Sequence, residues 1–313
     1  MKRSMLIPII LILLVFSNVA HGAKVNFTEE QYKYMMLENE KLRNKYKELE
    51  DDYTSLHEKN EELQKEIEHL KQMIGKGQAE EVPVLLYHHI LPQEDIDTYG
   101  WSGNDSVISL ENFQAQMKYL KDNNYHTATM DELDQFINGD YVLPKNTVVI
   151  TFDDGYLSNI VHAYPIMKEY GFKGTIFVIG DSENREKAEY DPATTQRIYI
   201  PEAEKYSDVF EYGCHSYGFH FIEDGYTMMQ ILDKESIKAD LEKSQSILGA
   251  KTIAYPFGRY NEAALEAVKE LGYILGFTVE PGYVKRGMDS YTLPRVIVVP
   301  QMGIENFINR VNR

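Results

Sequence analysis

The stretch Thr147-Val-Val-Ile-Thr-Phe-Asp153-Asp154-Gly155-Tyr156 predicts a buried β-strand that ends in two adjacent carboxylates and a glycine. In parallel α/β folds the C-terminal ends of the strands carry function, so these acids lie where a catalytic rim is expected. Neighbouring residues of an extended chain point to opposite sides, so both acids can serve one site only if the strand is already turning. Gly155 permits that turn. The alternative is an ordinary strand end with an Asp cap on the next helix.

Short β-rich segments alternate with helical patterns along residues 82–313. The predicted strands are 82–87, 147–152, 174–179, 209–214, 252–255, 273–279 and 293–299. The predicted helices are 110–123, 130–137, 157–170, 234–248 and 262–271. Alternation over about 230 residues predicts an α/β fold with a parallel sheet, closed into a barrel or distorted barrel. A doubly wound open sheet is the alternative.

A histidine-rich segment, Gly213-Cys214-His215-Ser-Tyr-Gly218-Phe-His220, follows another predicted strand. Five positions along a helix rotate by about 500°, so His215 and His220 cannot be ligands on one helix face. They can converge only on a loop, which Gly218 makes possible. Two neutral imidazoles and one carboxylate would leave the fourth position of a tetrahedral zinc open for water. A simple surface loop is the alternative, and Cys214 is predicted to be a small buried strand residue.

The composition narrows the choice of partner and of metal ligands. The chain has 313 residues, with 32 Lys and Arg against 49 Asp and Glu. The net charge of −17 repels phosphate backbones, so we expect no nucleic-acid partner. A single Cys excludes an intramolecular disulfide and a Cys-x-x-Cys metal site, so histidines and carboxylates must hold any metal.

Two further motifs follow predicted strands. His88 and His89 end the first strand, and Tyr255-Pro-Phe257-Gly258 follows a later one. Each has an ordinary explanation, a polar strand end for the histidines and a simple turn for the second segment. Together with the acid pair and the histidine loop, they place four such motifs at the same ends of different strands.

TFDDGY (151–156), HSYGFH (215–220) and YPFG (255–258), in this order, resemble the polysaccharide deacetylase family, or NodB-homology domain of carbohydrate esterase family 4. The resemblance covers about residues 82–300. PVLLYHHI (83–90), the spacing of the two histidines in HSYGFH and Leu293-Pro-Arg295-Val resemble the subfamily that deacetylates poly-β-1,6-N-acetylglucosamine. In that subfamily the last family motif is moved to the front by circular permutation.

The resemblance implies a role for each matching residue. Asp154, His215 and His220 would bind Zn²⁺ or another divalent transition metal, and Asp153 would be the general base. The backbone N–H of Phe257 would help to hold the oxyanion. His88 would protonate the departing amine, with His89 as its rival.

The chain also departs from the wider family. The Arg that usually lies two residues before the Pro of the third motif, where it orients the catalytic Asp, is replaced by Ala254. Arg295 or Arg259 could substitute for it, or either could be structural. The fourth family motif, which usually bears a Trp, is not recognisable, and the only Trp is Trp101. Trp101 could stack on a sugar ring or cover the barrel end.

Residues 1–22 have the pattern of a signal peptide. Lys2 and Arg3 precede an apolar run over residues 5–16, and Ala20 and Gly22 provide small residues at a cleavage site. The apolar run is short for a membrane span, although an uncleaved anchor is the alternative. The rest of the chain is therefore expected to work outside the cytoplasm, secreted or at the cell surface.

Residues 27–75 are predicted to form a coiled coil, followed by a linker at 76–81 and the deacetylase-like domain at 82–313. One set of apolar positions repeats every seven residues: Met35, Leu42, Leu49, Leu56, Leu63 and Leu70. Leu at these positions favours two strands, and Asn39 and Asn60 on the complementary positions fit a polar pair that fixes the register. We expect a parallel homodimer through residues 32–74, with a single solvated helix as the alternative.

These patterns predict a secreted, metal-dependent N-deacetylase of a polysaccharide that contains N-acetylglucosamine. A poly-β-1,6-N-acetylglucosamine-like polymer fits the subfamily resemblance, and peptidoglycan or a chitin-like polymer are other substrates. A non-catalytic glycan-binding scaffold, dimerised through its coiled coil, is the alternative that the missing Arg motivates. An amidohydrolase of small molecules is a third hypothesis, which requires a closed pocket instead of an open groove.

Overall fold

The computed structural model describes residues 28–74, 77–181 and 186–312. The predicted signal peptide therefore lies outside the described residues, as does Lys76 at the start of the predicted linker. The chain divides into two compact units, Met1–Glu68 and His69–Arg313. Within the described part of the chain, no helix combines the length and the apolar character that a bilayer crossing requires.

The first unit is built on a long helix, α1 (Glu29–Ile74). At its start the Thr28 hydroxyl accepts a hydrogen bond from the Gln31 backbone, and the Gln31 side chain accepts one from the Thr28 backbone. This reciprocal pair is a capping box, which satisfies two backbone donors of the first turn. Apolar side chains seven residues apart stay exposed, among them Leu49 at 65% and Leu56 at 72%. The coiled coil and the homodimer remain predictions. The exposed apolar side chains are the surface that such a pairing would bury.

In the second unit, seven parallel strands of the described chain close into a barrel. They are β1 (Val84–Tyr87), β2 (Thr147–Phe152), β3 (Gly174–Val178), β4 (Phe210–Cys214), β5 (Thr252–Ala254), β6 (Leu275–Pro281) and β7 (Leu293–Ile297). Their order around the barrel is β1-β7-β6-β5-β4-β3-β2, and β2 returns to β1 through pairs such as Leu85 with Ile150. The predicted barrel is confirmed. The alternative, an open sheet, is excluded because β1 and β2 pair and leave the sheet without free edges.

Helices and short elements surround the barrel. The helices are α2 (Gln93–Thr98), α3 (Leu110–Asp122), α4 (Met130–Asn138), α5 (Tyr164–Tyr170), α6 (Met228–Ile231), α7 (Lys234–Leu248), α8 (Glu262–Glu270) and α9 (Ile304–Val311). A π-helical segment covers Asn159–Ala163, and 3₁₀ segments cover Ile200–Tyr206 and Pro256–Gly258. Short strands lie at Glu81–Val82, His89–Leu91, Val107–Ser109, His126–Thr127, Ile222–Glu223, Tyr226–Thr227 and Val284–Lys285. The predicted helix 157–170 is thus divided between the π-helical segment and α5.

The barrel interior is apolar and is closed at one end. One buried cluster takes a residue from each of six strands: Val84, Val149, Phe177, Ala254, Phe277 and Leu293. Leu133 and Phe136 of α4 belong to the same cluster. α4 follows His126–Thr127, a strand paired with the start of β2 at Thr147, so it covers the N-terminal end of the barrel. The C-terminal end is left for the polar motifs.

Candidate active site

The two acids at the end of β2 are both buried, because the chain turns at the second of them. The Asp153 N–H still donates to the Tyr87 carbonyl at 2.9 Å, which continues the pairing of β1 with β2. Asp154 then has a φ of 71° and Gly155 a φ of 67°. The turn therefore starts one residue before the predicted glycine. A left-handed Asp is tolerated better than most residues but is still strained, and such strain concentrates at functional sites.

The histidine segment forms a loop that brings both imidazoles to Asp154. The His215 N–H donates to the Val178 carbonyl at 2.9 Å, and Ser216 then turns the chain with a φ of 64°. Asp240 on α7 accepts hydrogen bonds from the next two backbone N–H groups, at 2.7 Å from Tyr217 and 2.8 Å from Gly218. The ring centroids of His215 and His220 are 4.9 Å apart as a result. The predicted convergence on a loop is therefore what the structure contains.

Asp154, His215 and His220 form a set of ligands with the properties of a divalent metal site. Their ligand atoms lie within 4.8 Å of one another, with Asp154 Oδ1 3.4 Å from His215 Nε2 and 3.1 Å from His220 Nε2. His215 Nδ1 lies 2.7 Å from the Ala254 carbonyl, which can only accept, so Nδ1 carries the proton and Nε2 of the neutral ring is free to bind.

The carboxylate oxygen that faces these nitrogens supports the same assignment. Asp154 Oδ1 is buried and has no hydrogen-bond partner among the described residues. A buried orphan acceptor opposite an unprotonated nitrogen is unfavourable unless a cation lies between them. Burial raises the pKa of Asp154, and Arg197 beside its other carboxylate oxygen acts in the opposite direction and favours the ionised form. The three residues fit Zn²⁺ or a similar ion, with one carboxylate and two imidazoles as donors.

The neighbouring carboxylate, Asp153, is balanced by Arg295. Arg295 is fully buried and donates from Nη1 to Asp153 Oδ1 at 2.8 Å and from Nη2 to Oδ2 at 2.7 Å. Its Nε donates to the Thr278 carbonyl at 2.8 Å. Burial raises the pKa of Asp153, but Arg295, His215 and His88 together lower it below its usual value. Asp153 is therefore an ionised carboxylate in a fixed orientation.

This contact identifies the arginine that compensates for Ala254. Arg295 reaches Asp153 from β7, whereas Arg259 donates to the Gly225 carbonyl at 3.4 Å. A guanidinium inside a barrel can reach the same point from different strands, so the charge is kept although the strand that supplies it differs. The Ala254 backbone still serves the site, because its carbonyl orients His215.

His88 and His89 have different surroundings. His88 interacts electrostatically with Asp153, Asp154, Arg295 and His215, and its pKa is lowered because burial outweighs the two carboxylates. His89 instead stacks on Tyr156 with centroids 4.7 Å apart, and its Nδ1 lies 2.6 Å from Ser158 Oγ. Burial and the nearby Arg197 and His162 lower the pKa of His89 to about 4. His88 thus interacts with both carboxylates and with His215, whereas His89 interacts with Asp154 alone among these three residues, and the assignment of the acid remains a prediction.

Phe257 lies in the turn that follows β5. It has a φ of 58°, and the turn is closed by the Gly258 N–H, which donates to the Tyr255 carbonyl at 2.8 Å. Its ring stacks on His220 with centroids 4.6 Å apart and is 37% exposed. Phe257 therefore borders the candidate metal site, as expected, and the oxyanion role of its N–H remains a prediction.

Arg197 is a residue of the site that no sequence motif indicated. Its Nη1 donates to the Asp154 backbone carbonyl at 2.6 Å and lies 3.6 Å from Asp154 Oδ2. Its guanidinium lies over the Tyr156 ring at 4.4 Å. Arg197 thus holds the strained Asp154 turn and the carboxylate oxygen that does not face the histidines. It follows Asp154 by 43 residues in an irregular loop, where neither spacing nor periodicity gives a signal.

The beginning of the π-helical segment holds the backbone of the first histidine motif. Asn159 Nδ2 donates to the His88 carbonyl at 2.7 Å, and Ser158 Oγ accepts from the Ile90 N–H at 3.3 Å. Trp101 donates from its indole N–H to the Pro192 carbonyl at 2.8 Å and packs edge-on against His89. Trp101 therefore joins two loops that cover this side of the barrel end.

Comparisons with known proteins agree with this geometry. The Polysaccharide deacetylase family profile matches residues 140–276. YxkH of Bacillus subtilis (strain 168), whose name assigns it to the polysaccharide deacetylases, is 34% identical over 247 residues, which are 77% of this chain and 80% of that protein. The poly-β-1,6-N-acetyl-D-glucosamine N-deacetylase of Staphylococcus aureus (strain MSSA476) is 27% identical over 198 residues, 61% of this chain and 67% of the relative.

A solved structure supports the fold. IcaB from Ammonifex degensii superposes with a TM-score of 0.62 at 24% identity, over 75% of this chain and 99% of that one. The extent and identity of the match to YxkH place the chain in the polysaccharide deacetylase (NodB, carbohydrate esterase family 4) family. The family resemblance drawn from the three motifs is thereby confirmed.

Proposed function

We propose that this protein is a metal-dependent N-deacetylase of a polysaccharide that contains N-acetylglucosamine, secreted from the cell or held at its surface. The observation that supports the proposal most directly is the pair of adjacent carboxylates in different settings. Asp153 is held ionised by Arg295, and Asp154 presents a buried orphan oxygen to two imidazoles. This is the combination that metal-assisted amide hydrolysis requires, a general base beside a ligand set with an open position.

Zn²⁺ bound by Asp154, His215 and His220 would polarise the N-acetyl carbonyl and lower the pKa of the attacking water. Asp153 then accepts a proton from that water as its oxygen bonds to the carbonyl carbon. Arg295 lowers the pKa of Asp153 and so keeps this carboxylate ionised and available as a proton acceptor.

The C–N bond breaks as the nitrogen receives a proton. His88 would donate it, and the products would be acetate and a glucosamine unit with a free amine. The Phe257 N–H stabilises the oxygen on which charge develops. His88 must carry a proton at this step although burial lowers its pKa, and the carboxylates of Asp153 and Asp154 favour that protonated form.

For the substrate we propose a poly-β-1,6-N-acetylglucosamine-like polymer. The relatives include an S. aureus enzyme named for that activity, and His88 directly follows the first barrel strand, in the segment that resembles the permuted subfamily. The scaffold alternative loses its main argument, because it was motivated by the missing arginine and Arg295 provides that charge.

The test is metal-dependent acetate release. The chain from residue 23, incubated with β-1,6-linked N-acetylglucosamine oligomers, should release acetate and free amine in equal amounts, and a chelator should stop both until Zn²⁺ is restored. Release from chitin or peptidoglycan fragments alone would keep the deacetylase and reject the polymer. No release from any of the three would reject the function.

We also propose that α1 pairs two copies of the chain in parallel. Four leucines seven residues apart lie exposed on one helix, Leu42, Leu49, Leu56 and Leu63, and burying such a seam is what stabilises a coiled coil. Light scattering on residues 23–313 should give the mass of a dimer at micromolar concentration, and Leu49→Asp with Leu56→Asp should give a monomer with unchanged deacetylase activity per chain. A monomeric wild-type chain would refute the dimer.

A further inference from the structure

A short hairpin follows the last candidate metal ligand, His220. Its strands, Ile222–Glu223 and Tyr226–Thr227, pair Glu223 with Tyr226 and Ile222 with Thr227. The two turn residues, Asp224 and Gly225, have φ values of 49° and 85°, as in the tight two-residue turns that connect the strands of a hairpin. The register of the hairpin is therefore fixed by its turn, and the positions of its side chains are defined.

Residues 222–226 of the hairpin are exposed and Thr227 is buried, and the face that carries Glu223 and Tyr226 is here called the solvent face. Thr227 is fully buried, and strand alternation places Tyr226 on the opposite face, where it is 56% exposed. Its cross-strand partner Glu223 is also exposed, so an aromatic ring and a carboxylate lie side by side on the surface. Phe221, between His220 and the hairpin, is exposed as well.

The hairpin is joined to the turn that borders the candidate metal site. Arg259 donates to the Gly225 carbonyl at 3.4 Å, which connects the hairpin tip to the residue two positions after Phe257. Below the hairpin, the Asn261 side chain donates to the Gln230 carbonyl at 3.0 Å. Phe257 itself stacks on His220. The hairpin tip is therefore held near the turn of Phe257, the residue that stacks on the candidate ligand His220.

We propose that the solvent face of this hairpin is a sugar subsite, in which Tyr226 stacks on a unit of the polymer next to the one being deacetylated and Glu223 binds the amine of a unit already deacetylated. The inference rests on the proposed function. Ring stacking suits a pyranose, which has an apolar face and a polar edge, and exposed aromatic groups beside a site are typical of ligand surfaces. The charge is also complementary, because each turnover converts a neutral acetamide into a cationic amine.

A membrane surface is the other partner that exposed Phe221 and Ile222 could suit. The hairpin tip, however, carries Glu223 and Asp224, and two carboxylates are repelled by anionic headgroups. The combination of ring and carboxylate favours the sugar polymer over the bilayer.

The experiment compares Tyr226→Ala, Tyr226→Phe and Glu223→Gln in the full chain. The two readouts are KM for β-1,6-linked N-acetylglucosamine oligomers and Kd for fully deacetylated glucosamine oligomers, which cannot turn over. Tyr226→Ala should raise KM and Kd about three- to tenfold, with a smaller effect on kcat. Tyr226→Phe should have the KM and Kd of the wild type because the ring remains. Glu223→Gln should weaken the binding of the glucosamine oligomers more than the binding of the acetylated oligomers. Tyr99→Ala, at an exposed tyrosine after the opposite strand β1, should change neither value.

Several outcomes would overturn the subsite. Unchanged KM and Kd in Tyr226→Ala would reject it and leave the deacetylase standing. Binding of the wild type to phosphatidylglycerol vesicles that Tyr226→Ala abolishes, with oligomer affinity retained, would assign the surface to a membrane. If the wild type binds glucosamine oligomers but releases no acetate, the proposed function fails, and the Kd of the variants still decides the subsite.

Discussion

The Asp153 side and the Asp154 side of the site are neighbours in sequence, yet they balance a buried negative charge in different ways. Asp153 is matched by two short hydrogen bonds from one fully buried guanidinium. Asp154 has Arg197 at one oxygen and, at the other, two imidazoles but no hydrogen bond from the described residues. The charge of the first side is balanced within the protein, whereas the second side has the donor atoms that a bound cation would need. Two adjacent identical residues thus differ in charge environment because of their partners, which is why we propose different roles for them.

The largest expected effect is a contrast between Asp154→Asn and Asp153→Asn. Asp154→Asn removes the charged ligand, so bound zinc and activity should both be lost, with activity down by a factor of about 10³ or more. Asp153→Asn removes the base, so activity should fall by about 10²–10⁴ while zinc stays bound. Zinc content per chain, measured beside acetate release, checks both. Loss of zinc in both variants would show that the two acids are not functionally separate.

Removing Arg295 tests whether this residue balances the buried charge of Asp153. Arg295→Met should destabilise the barrel by about 3–5 kcal/mol, because it leaves the Asp153 carboxylate buried without its partner. The double variant with Asp153→Asn should recover part of that stability, since the orphan charge is gone as well. Urea unfolding of the two variants provides the measurement. A double variant no more stable than Arg295→Met would contradict the pairing as the cause.

The pH dependence of stability tests the surroundings of His89. Its folded pKa of about 4 lies below the unfolded value of about 6.5, so unfolding takes up a proton between these pH values. The free energy of unfolding should therefore fall as pH drops from 6.5 to 4, by up to about 3 kcal/mol from this residue. His89→Gln should show a shallower slope in that window. Urea unfolding in the presence of a chelator separates this effect from metal release. Equal slopes of unfolding free energy against pH in the wild type and in His89→Gln would contradict the prediction.

The smallest effect is expected at Asp240. Asp240→Ala removes two hydrogen bonds that shape the loop between His215 and His220, without touching either ring. Zinc affinity should fall about 10–100-fold, as is usual when the groups that orient metal ligands are lost. Competition with a chromogenic chelator measures it, and Ser244→Ala on the same helix serves as the control. An unchanged affinity would show that the loop holds its shape without Asp240.

Local sequence patterns predicted most of the fold and the ligand set. The seven barrel strands were all predictable because each is a short apolar run bounded by turn residues, as in residues 147–152. The candidate ligands were predictable because they follow strands whose C-terminal ends lie together at one end of the barrel. They are Asp154, His215 and His220. α2, α6 and α9 were not predicted. α2 and α6 are too short to show a periodic pattern, whereas α9 is strongly amphipathic and its pattern was not among those used.

The groups that balance the charges were less accessible to sequence reasoning. Arg295 was one of two candidates, and only the packing of β7 against the interior separates it from Arg259. Arg197 and Asp240 were not predicted at all. Each acts on a residue more than 20 positions away, through a hydrogen bond that depends on how loops and helices pack around the barrel. Spacing within a motif carries no information on such contacts.

The closure of the barrel by β1 and β7 has a consequence for how the protein matures. Val296 of β7 pairs with Leu85 of β1, so the first and last barrel strands must meet before the ring is complete. Contacts between such distant parts of a chain form late in folding. Arg295 arrives with that last strand, and until then Asp153 has no counter-charge in the barrel. Until the last strand has docked, the Asp153 carboxylate therefore lacks the guanidinium that fixes its orientation, so this end of the barrel is assembled only when the whole domain is present.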